Sequence, residues 1–236
     1  MPRPQDTRPR HTQIAAELRA QIISGDLAPG TQLPSTAQLM ATYDAANATI
    51  QRALGALKDE GFLDSRVGKG VYVRDQPALT ISAAAYIAPG HITYQLLSVE
   101  KTRPPADAAA ILGLGDTETA VLRQRLLLRD GEPVELSYSY YPSDIATGTA
   151  LAHPAKIPGG APQILTDLGL PQRHFTDHIT ARAATTTEIT LLDLPATVPV
   201  IRQLRVIHTN NDRPVEASIL IKGAHRYQLR YTDNIE

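Results

Sequence analysis

The chain has 236 residues, 42% of them hydrophobic and 20% charged, which excludes disordered and fibrous classes and leaves length for two domains, each with its own core. It contains no cysteine, so disulfides, thiolate metal sites and cysteine nucleophiles are excluded and metal chemistry would rest on seven scattered histidines. A formal net charge of -1 gives no overall attraction to nucleic acid, so DNA contact must come from a local arrangement.

The longest apolar stretches, such as Ile81 to Ile87, fall far short of the roughly 20 residues of a membrane helix. The start, Met1 to Arg10, is polar and carries no secretion signal, so no membrane association and a cytoplasmic location are expected.

In chain order, Ile14, Leu18 and Ile22 recur every four residues on one stripe of a helix, which Gly25 and then Pro29-Gly30 end. Ser35 stands three residues before Gln38, the spacing at which each side chain satisfies a backbone N–H of a first helical turn. A short second helix is predicted to begin there and stop near Tyr43. After a turn at Asp44-Ala45-Ala46, Ile50, Ala53, Leu54 and Leu57 share one face of a third helix that Gly61 ends. Residues 62–73 form two short apolar runs around the cationic turn Gly68-Lys69-Gly70, a hairpin pattern. Three helices followed by a hairpin predict a winged helix-turn-helix over residues 1–74, preceded by an arm carrying Arg3, Arg8 and Arg10. An alanine- and proline-rich linker is expected over 75–90.

From 91 to 236 the pattern turns to strands, at 120–129, 132–141, 175–184, 198–209 and 214–222. Two pairs of them are joined by Asp130-Gly131 and Asn210-Asn211-Asp212, turn chemistry suited to antiparallel hairpins. Short helices fit 105–112, 161–169 and 186–192. Helices packed on an antiparallel sheet give an α+β class.

Ile14, Leu18, Ile22, Gly25, Pro29-Gly30, Leu33-Pro34-Ser35, Leu39, Thr49, Ala53-Leu54, Leu57, Gly61 and Gly68-Lys69-Gly70 together resemble the GntR family of bacterial regulators. Asp130 to Pro133, Tyr140 to Pro142, Ala181 to Thr185, Arg205, Arg213 to Glu216 and Arg226-Tyr227 resemble the UTRA effector domain that marks its HutC branch, a domain similar in fold to chorismate lyase. The resemblance covers about nine tenths of the chain. It implies a homodimer formed mainly through the C-terminal domains, whose effector changes the placement of the DNA-binding heads, with repression as the family habit. Two-fold symmetry then calls for an inverted-repeat operator in double-stranded DNA.

A helix-turn-helix presents the start of its second helix to base edges. Asn47, Thr49, Gln51 and Arg52 occupy that exposed face, and plain solvated polarity is the competing reading for each. Arg66, Gly68, Lys69 and Gly70 suit phosphate or minor-groove contact from the wing, where glycines let the backbone approach closely. Ser35 and Thr36 suit phosphate contact at a helix N-terminus, although Ser35 can equally be a cap alone. Relatives often carry guanine-reading arginines at the positions of Ala37, Asn47 and Gln51. Because Asn and Gln pair with adenine, adenine is expected in the inner half-site. The usual capping serine is Ala46 here, which leaves Asp44 or Asn47 to cap the third helix, with its register open to a shift.

In the C-terminal domain the resemblance places effector contacts on Arg125, Ser137, Glu216 and Tyr227, with their neighbours Tyr140 and Ser218. Arg125 and Glu216 could equally serve structural ion pairs. Leu127 stands where a second arginine is common, and Gly223 and His225 where arginine and aspartate are usual. Loss of that cation disfavours a phosphorylated sugar against a larger or less charged metabolite.

The lyase-like fold raises an enzyme as a second class, but no Ser-His-acid set, metal spacing or phosphate loop supports it. No catalytic residue, cofactor or metal ligand is therefore assigned. His174 and His178, four apart on one side of a strand, do not change this. A dimeric DNA binder without any ligand is the remaining alternative.

Overall fold

The computed structural model describes residues 6–74, 79–82, 92–225 and 227–232. Arg3 of the arm, most of the expected linker and the landmark Arg226 lie outside the described residues. The chain divides into two compact units, Met1–Ala78 and Leu79–Glu236.

The first unit holds α1 (Arg10–Ser24), α2 (Thr36–Tyr43), α3 (Asn47–Asp59), β1 (Leu63–Arg66) and β2 (Gly70–Val73). Gly25 ends α1 in the left-handed conformation, φ 88°, which a side chain would disfavour. α2 opens on the reciprocal Ser35–Gln38 capping box. The apolar stripe Ile14, Leu18, Leu39, Ile50, Leu54 and Leu57 packs into one core, with Leu63 and Val73 sealing the hairpin onto it. Arg19 of α1 donates two hydrogen bonds of 2.7 Å to Glu60 at the end of α3, a fork that matches the carboxylate.

In the second unit, β4 (Ile92–Thr102), β5 (Ala120–Arg129), β6 (Glu132–Pro142), β7 (His174–Ala183), β8 (Pro199–His208) and β9 (Pro214–Gly223) form one antiparallel sheet in the order β4-β5-β6-β9-β8-β7. The α+β class expected from sequence is the one observed. Three segments differ from the sequence reading. β4 is an edge strand that was not anticipated; its half-buried, half-exposed residues give little contrast between faces. Leu79–Ser82, inside the expected linker, forms β3 and pairs in parallel with β10 (Tyr227–Arg230), a contact between segments too distant for local pattern to reveal.

Alternation along each strand gives the sheet two unlike faces. One carries Leu122, Leu126, Leu136, Leu204, Ile219 and Ile221, and α4 (Ala106–Ile111) and α7 (Thr186–Leu192) cover it. The other is apolar only at its two ends. Val121, Tyr141 and Ile207 pack beneath α5 (Ser143–Ala146) and α6 (Gly160–Asp167), while Val134 and Tyr227 pack at the opposite end.

α7 shows why the Ala181–Thr185 landmark has its composition. Thr185 caps the helix in a box with Glu188, and Arg182 reaches the same carboxylate with bonds of 2.7 and 2.6 Å. Burial alone would raise the pKa of Glu188, but the Arg182 guanidinium and the Thr185 N–H outweigh it and hold it below the usual carboxylate value. A depressed folded-state pKa means stability that is present above the unfolded pKa and lost as pH falls through the folded one. Glu188→Gln is therefore expected to cost about 1–2 kcal/mol at neutral pH. In thermal melts the gap to the parent chain should close below about pH 4.

Candidate DNA interface and effector site

The candidate DNA-facing side of the first unit is built by α2, α3 and the β1–β2 wing. Asn47, Gln51 and Arg52 are exposed on α3, and Thr49 is half-buried. Gln51 donates to the Thr36 hydroxyl at 3.2 Å, so the start of α2 and the outer face of α3 meet in one polar surface with Ser35. Ala46 is the residue before α3 and makes no side-chain cap, while Asp44 ends α2 with a φ of 45°. Neither Asp44 nor Asn47 is the residue before α3, which begins at Asn47.

The wing is shaped by glycine geometry. Gly68 (φ 71°) and Gly70 (φ 109°) both need positive φ, and a Cβ on Gly70 would stand 2.8 Å from Gln32 Nε2. That Gln32 amide donates to the Lys69 carbonyl at 2.7 Å, which ties the turn to the segment before α2. Arg66 lies 4.1 Å over the Tyr72 ring, and Val67 at the tip is 100% exposed. Arg66, Lys69 and the open glycine backbone thus share one exposed turn.

In the second unit the middle of one sheet face is a polar band. Register and alternation align Arg123, Ser139, Ser218, Arg205 and Asp177 in one row across β5, β6, β9, β8 and β7, beside a row with Arg125, Ser137 and Gln203. Arg125 donates to the Ser137 and Ser139 hydroxyls at 3.2 and 2.7 Å. Ser139 and Ser218 share a bond of 2.6 Å, and Ser218 donates to Glu216 at 2.5 Å. Arg123 spends its donors on the carbonyls of Leu151, His153 and Ala155, fixing the loop after α5.

Toward β7, Arg205 and Asp177 form a buried bidentate pair at 2.8 and 2.7 Å. Gln203 bridges Asp177 to Lys222, and Lys222 pairs with Glu135 at 3.1 Å. Burial lowers the Lys222 pKa, opposed by Glu135. The Tyr227 hydroxyl donates to Glu135 at 3.3 Å, and burial pushes its pKa up.

Of the expected effector contacts, Arg125, Ser137, Ser218 and Glu216 come together, and Tyr227 joins through Glu135. Tyr140 does not. It pairs with Ala217 and points into the opposite, apolar core, where burial raises its pKa to about 12. Strand alternation gives Tyr141 the place assumed for it: Tyr141 is fully buried and its pKa is raised by burial and then by Glu216. Ser139, Asp177, Glu135, Lys222 and Gln203 were missed, and Arg205 was marked as a landmark but not as part of the site. The period of two from Ser137 would have found Ser139; the others are joined only by cross-strand register.

A winged helix-turn-helix unit and a separate sheet unit with a polar face define the class of two-domain DNA-binding transcriptional regulators. Residues 10–73 match the gntR family of bacterial regulatory proteins and residues 89–228 match the UTRA domain. The chain belongs to the GntR family, in its HutC subfamily. It is 27% identical over 247 residues to an uncharacterized HTH-type transcriptional regulator of Streptomyces coelicolor, covering 94% of this chain and 92% of that one. It is 25% identical over 242 residues to the transcriptional repressor NagR of Bacillus subtilis, covering 96% of each. In fold it is similar to PhnF of Mycobacterium smegmatis, with a TM-score of 0.59 at 16% identity over 97% of this chain and 100% of that one. Among the described residues no helix is long and apolar enough to cross a membrane.

Lys69→Ala and Arg66→Ala are each expected to weaken binding to any duplex and to reduce the slope of log affinity against log salt by about 1. Fluorescence anisotropy at several salt concentrations measures this, and an unchanged slope in both variants would remove the wing from the interface.

Proposed function

We propose that the chain is a homodimeric repressor that holds an inverted-repeat operator through α3 and the wing, and leaves it when a small-molecule effector binds the polar band of the UTRA domain. The hydroxyl chain from Arg125 through Ser137, Ser139 and Ser218 to Glu216 carries this reading. Neutral hydroxyls can exchange their mutual bonds for bonds to a ligand at little cost, whereas the forked Arg205–Asp177 pair cannot. Apolar packing closes both ends of the band, so a ligand there is shielded from water on two sides. Leu127, packed beside Tyr227 and Val134, brings apolar surface where a second cation would favour phosphate. The effector is accordingly read as a polar metabolite without a phosphate group.

A metabolite screen by thermal shift finds the effector. A ligand at a hundred times its Kd adds about 2.7 kcal/mol of stability, an upward shift that is simple to read. The effector should also release the chain from DNA upstream of its own gene. Arg125→Ala is expected to abolish both responses while DNA affinity without ligand stays within about twofold, as expected for sites that do not share contacts. Retention of the thermal shift in that variant would place the effector elsewhere.

Base reading follows from α3. Asn47 and Gln51 are read as adenine contacts in the inner half-site. Binding-site selection should return adenine there for the parent chain and lose the preference in Asn47→Ala or Gln51→Ala; guanine at those positions in all three would overturn the assignment.

A further inference from the structure

His174 opens β7 and His208 closes β8, and the two are direct cross-strand partners. Alternation puts them on the face opposite Phe175 and Ile207, away from the polar band. Their rings stack at 4.6 Å between centroids with planes 7° apart. Asp212, from the β8–β9 turn, sets its Oδ1 3.0 Å from His174 Nε2. One ligand atom from each of the three residues lies within 4.8 Å of the others.

The turn holds the carboxylate in place. Asn211 and Asp212 have φ of 57° and 60°, the two successive positive values of a type I′ hairpin. Thr209 N–H closes it on the Arg213 carbonyl at 2.9 Å. Glycine is the least costly residue for this backbone, and aspartate there adds a carboxylate beside two imidazoles. An ordinary ion pair accounts for His174 and Asp212 only. His208 Nδ1 is buried and has no hydrogen-bond partner among the described residues.

We propose that His174, His208 and Asp212 bind one divalent transition ion of the zinc class, with water completing its coordination. Two ligand atoms about 2.1 Å from a tetrahedral ion stand about 3.4 Å apart. The 3.0 Å separation of His174 and Asp212 is close to that spacing. No two of the three ligand atoms lie more than 4.8 Å apart, so a displacement of about 1.4 Å at most brings them to that spacing. His174 and Asp212 are exposed and the hairpin end is open to water, so the ion has a path in. Two imidazoles and one carboxylate favour zinc, nickel or copper over magnesium or calcium. Bound there, the ion would fasten the edge strand β7 to the β8–β9 hairpin. His178 is on the same side of β7, but four residues along a strand is about 13 Å, too far to share the ion.

The test uses the full chain stripped with a chelator and titrated with Zn²⁺ by calorimetry, and with Co²⁺ by visible absorption. The expected result is one Zn²⁺ per chain, a raised melting temperature, and Co²⁺ bands of nitrogen and oxygen ligation. His174→Ala and Asp212→Ala should each weaken binding about 100-fold, since loss of an outer-shell partner alone costs about 10–100-fold. His178→Ala should bind as the parent does. Melts without metal check that the variants fold. Absence of saturable Zn²⁺ binding at micromolar concentration would overturn the proposal. So would parent-like affinity in His174→Ala and Asp212→Ala, or equal response to Mg²⁺.

Discussion

The second unit depends on the two-residue alternation of its six strands, which bulges interrupt only near strand ends or at Leu96–Ser98. One face receives Leu122, Leu136, Leu204 and Ile221, and the other receives Arg123, Arg125, Arg205 and Lys222. A register slip of one residue in β8 would drive Arg205 into the apolar core under α4 and α7 and expose Leu204 to the charged band. Desolvating an unpaired guanidinium costs several kcal/mol, so the slipped pairing is strongly disfavoured. The charges of the band thus act against wrong registers, whatever they add to net stability.

The same alternation explains how a polar site is kept in a folded interior. Arg205 and Asp177 have side chains only 7% and 5% exposed, and each finds further partners in Phe175, Gln203 and Tyr231. Lys222, 2% exposed, has Glu135, Gln203 and the Tyr227 ring. These pairs, on β8 with β7 and on β9 with β6, have their charges matched. The hydroxyl chain on β6 and β9 is the part of the band whose partners can be exchanged, because no full charge is stranded when a hydroxyl turns.

The first unit was largely legible in the sequence because its determinants are local. The Ser35–Gln38 box, the four-residue stripe of α1 and the glycines at 25, 61, 68 and 70 each act within a few residues. In the second unit the β5–β6 and β8–β9 hairpins were legible for the same reason, through their turn residues. What escaped was long-range: β3 with β10, the edge strand β4, and the crossing that brings Asp177 to Arg205. Tyr140 was assigned to the wrong face because the Tyr140-Tyr141 pair offers two aromatic candidates and only register decides between them. His174 was considered together with His178, four residues away, when its partner across the ladder is His208.

β3 puts a physical constraint on the proposed effector response. It is the first described strand after the winged unit in chain order, and its backbone pairs in parallel with β10. Tyr227 of β10 donates to Glu135, which is paired with Lys222 in the polar band. A ligand that alters the Glu135–Lys222 pair therefore acts on β10 and, through ladder bonds, on β3. A ligand with equal affinity for both placements of that pair would shift nothing, so the effector must bind one of them better. Linkage makes the effect reciprocal: operator binding that favours one placement must change effector affinity by the same factor.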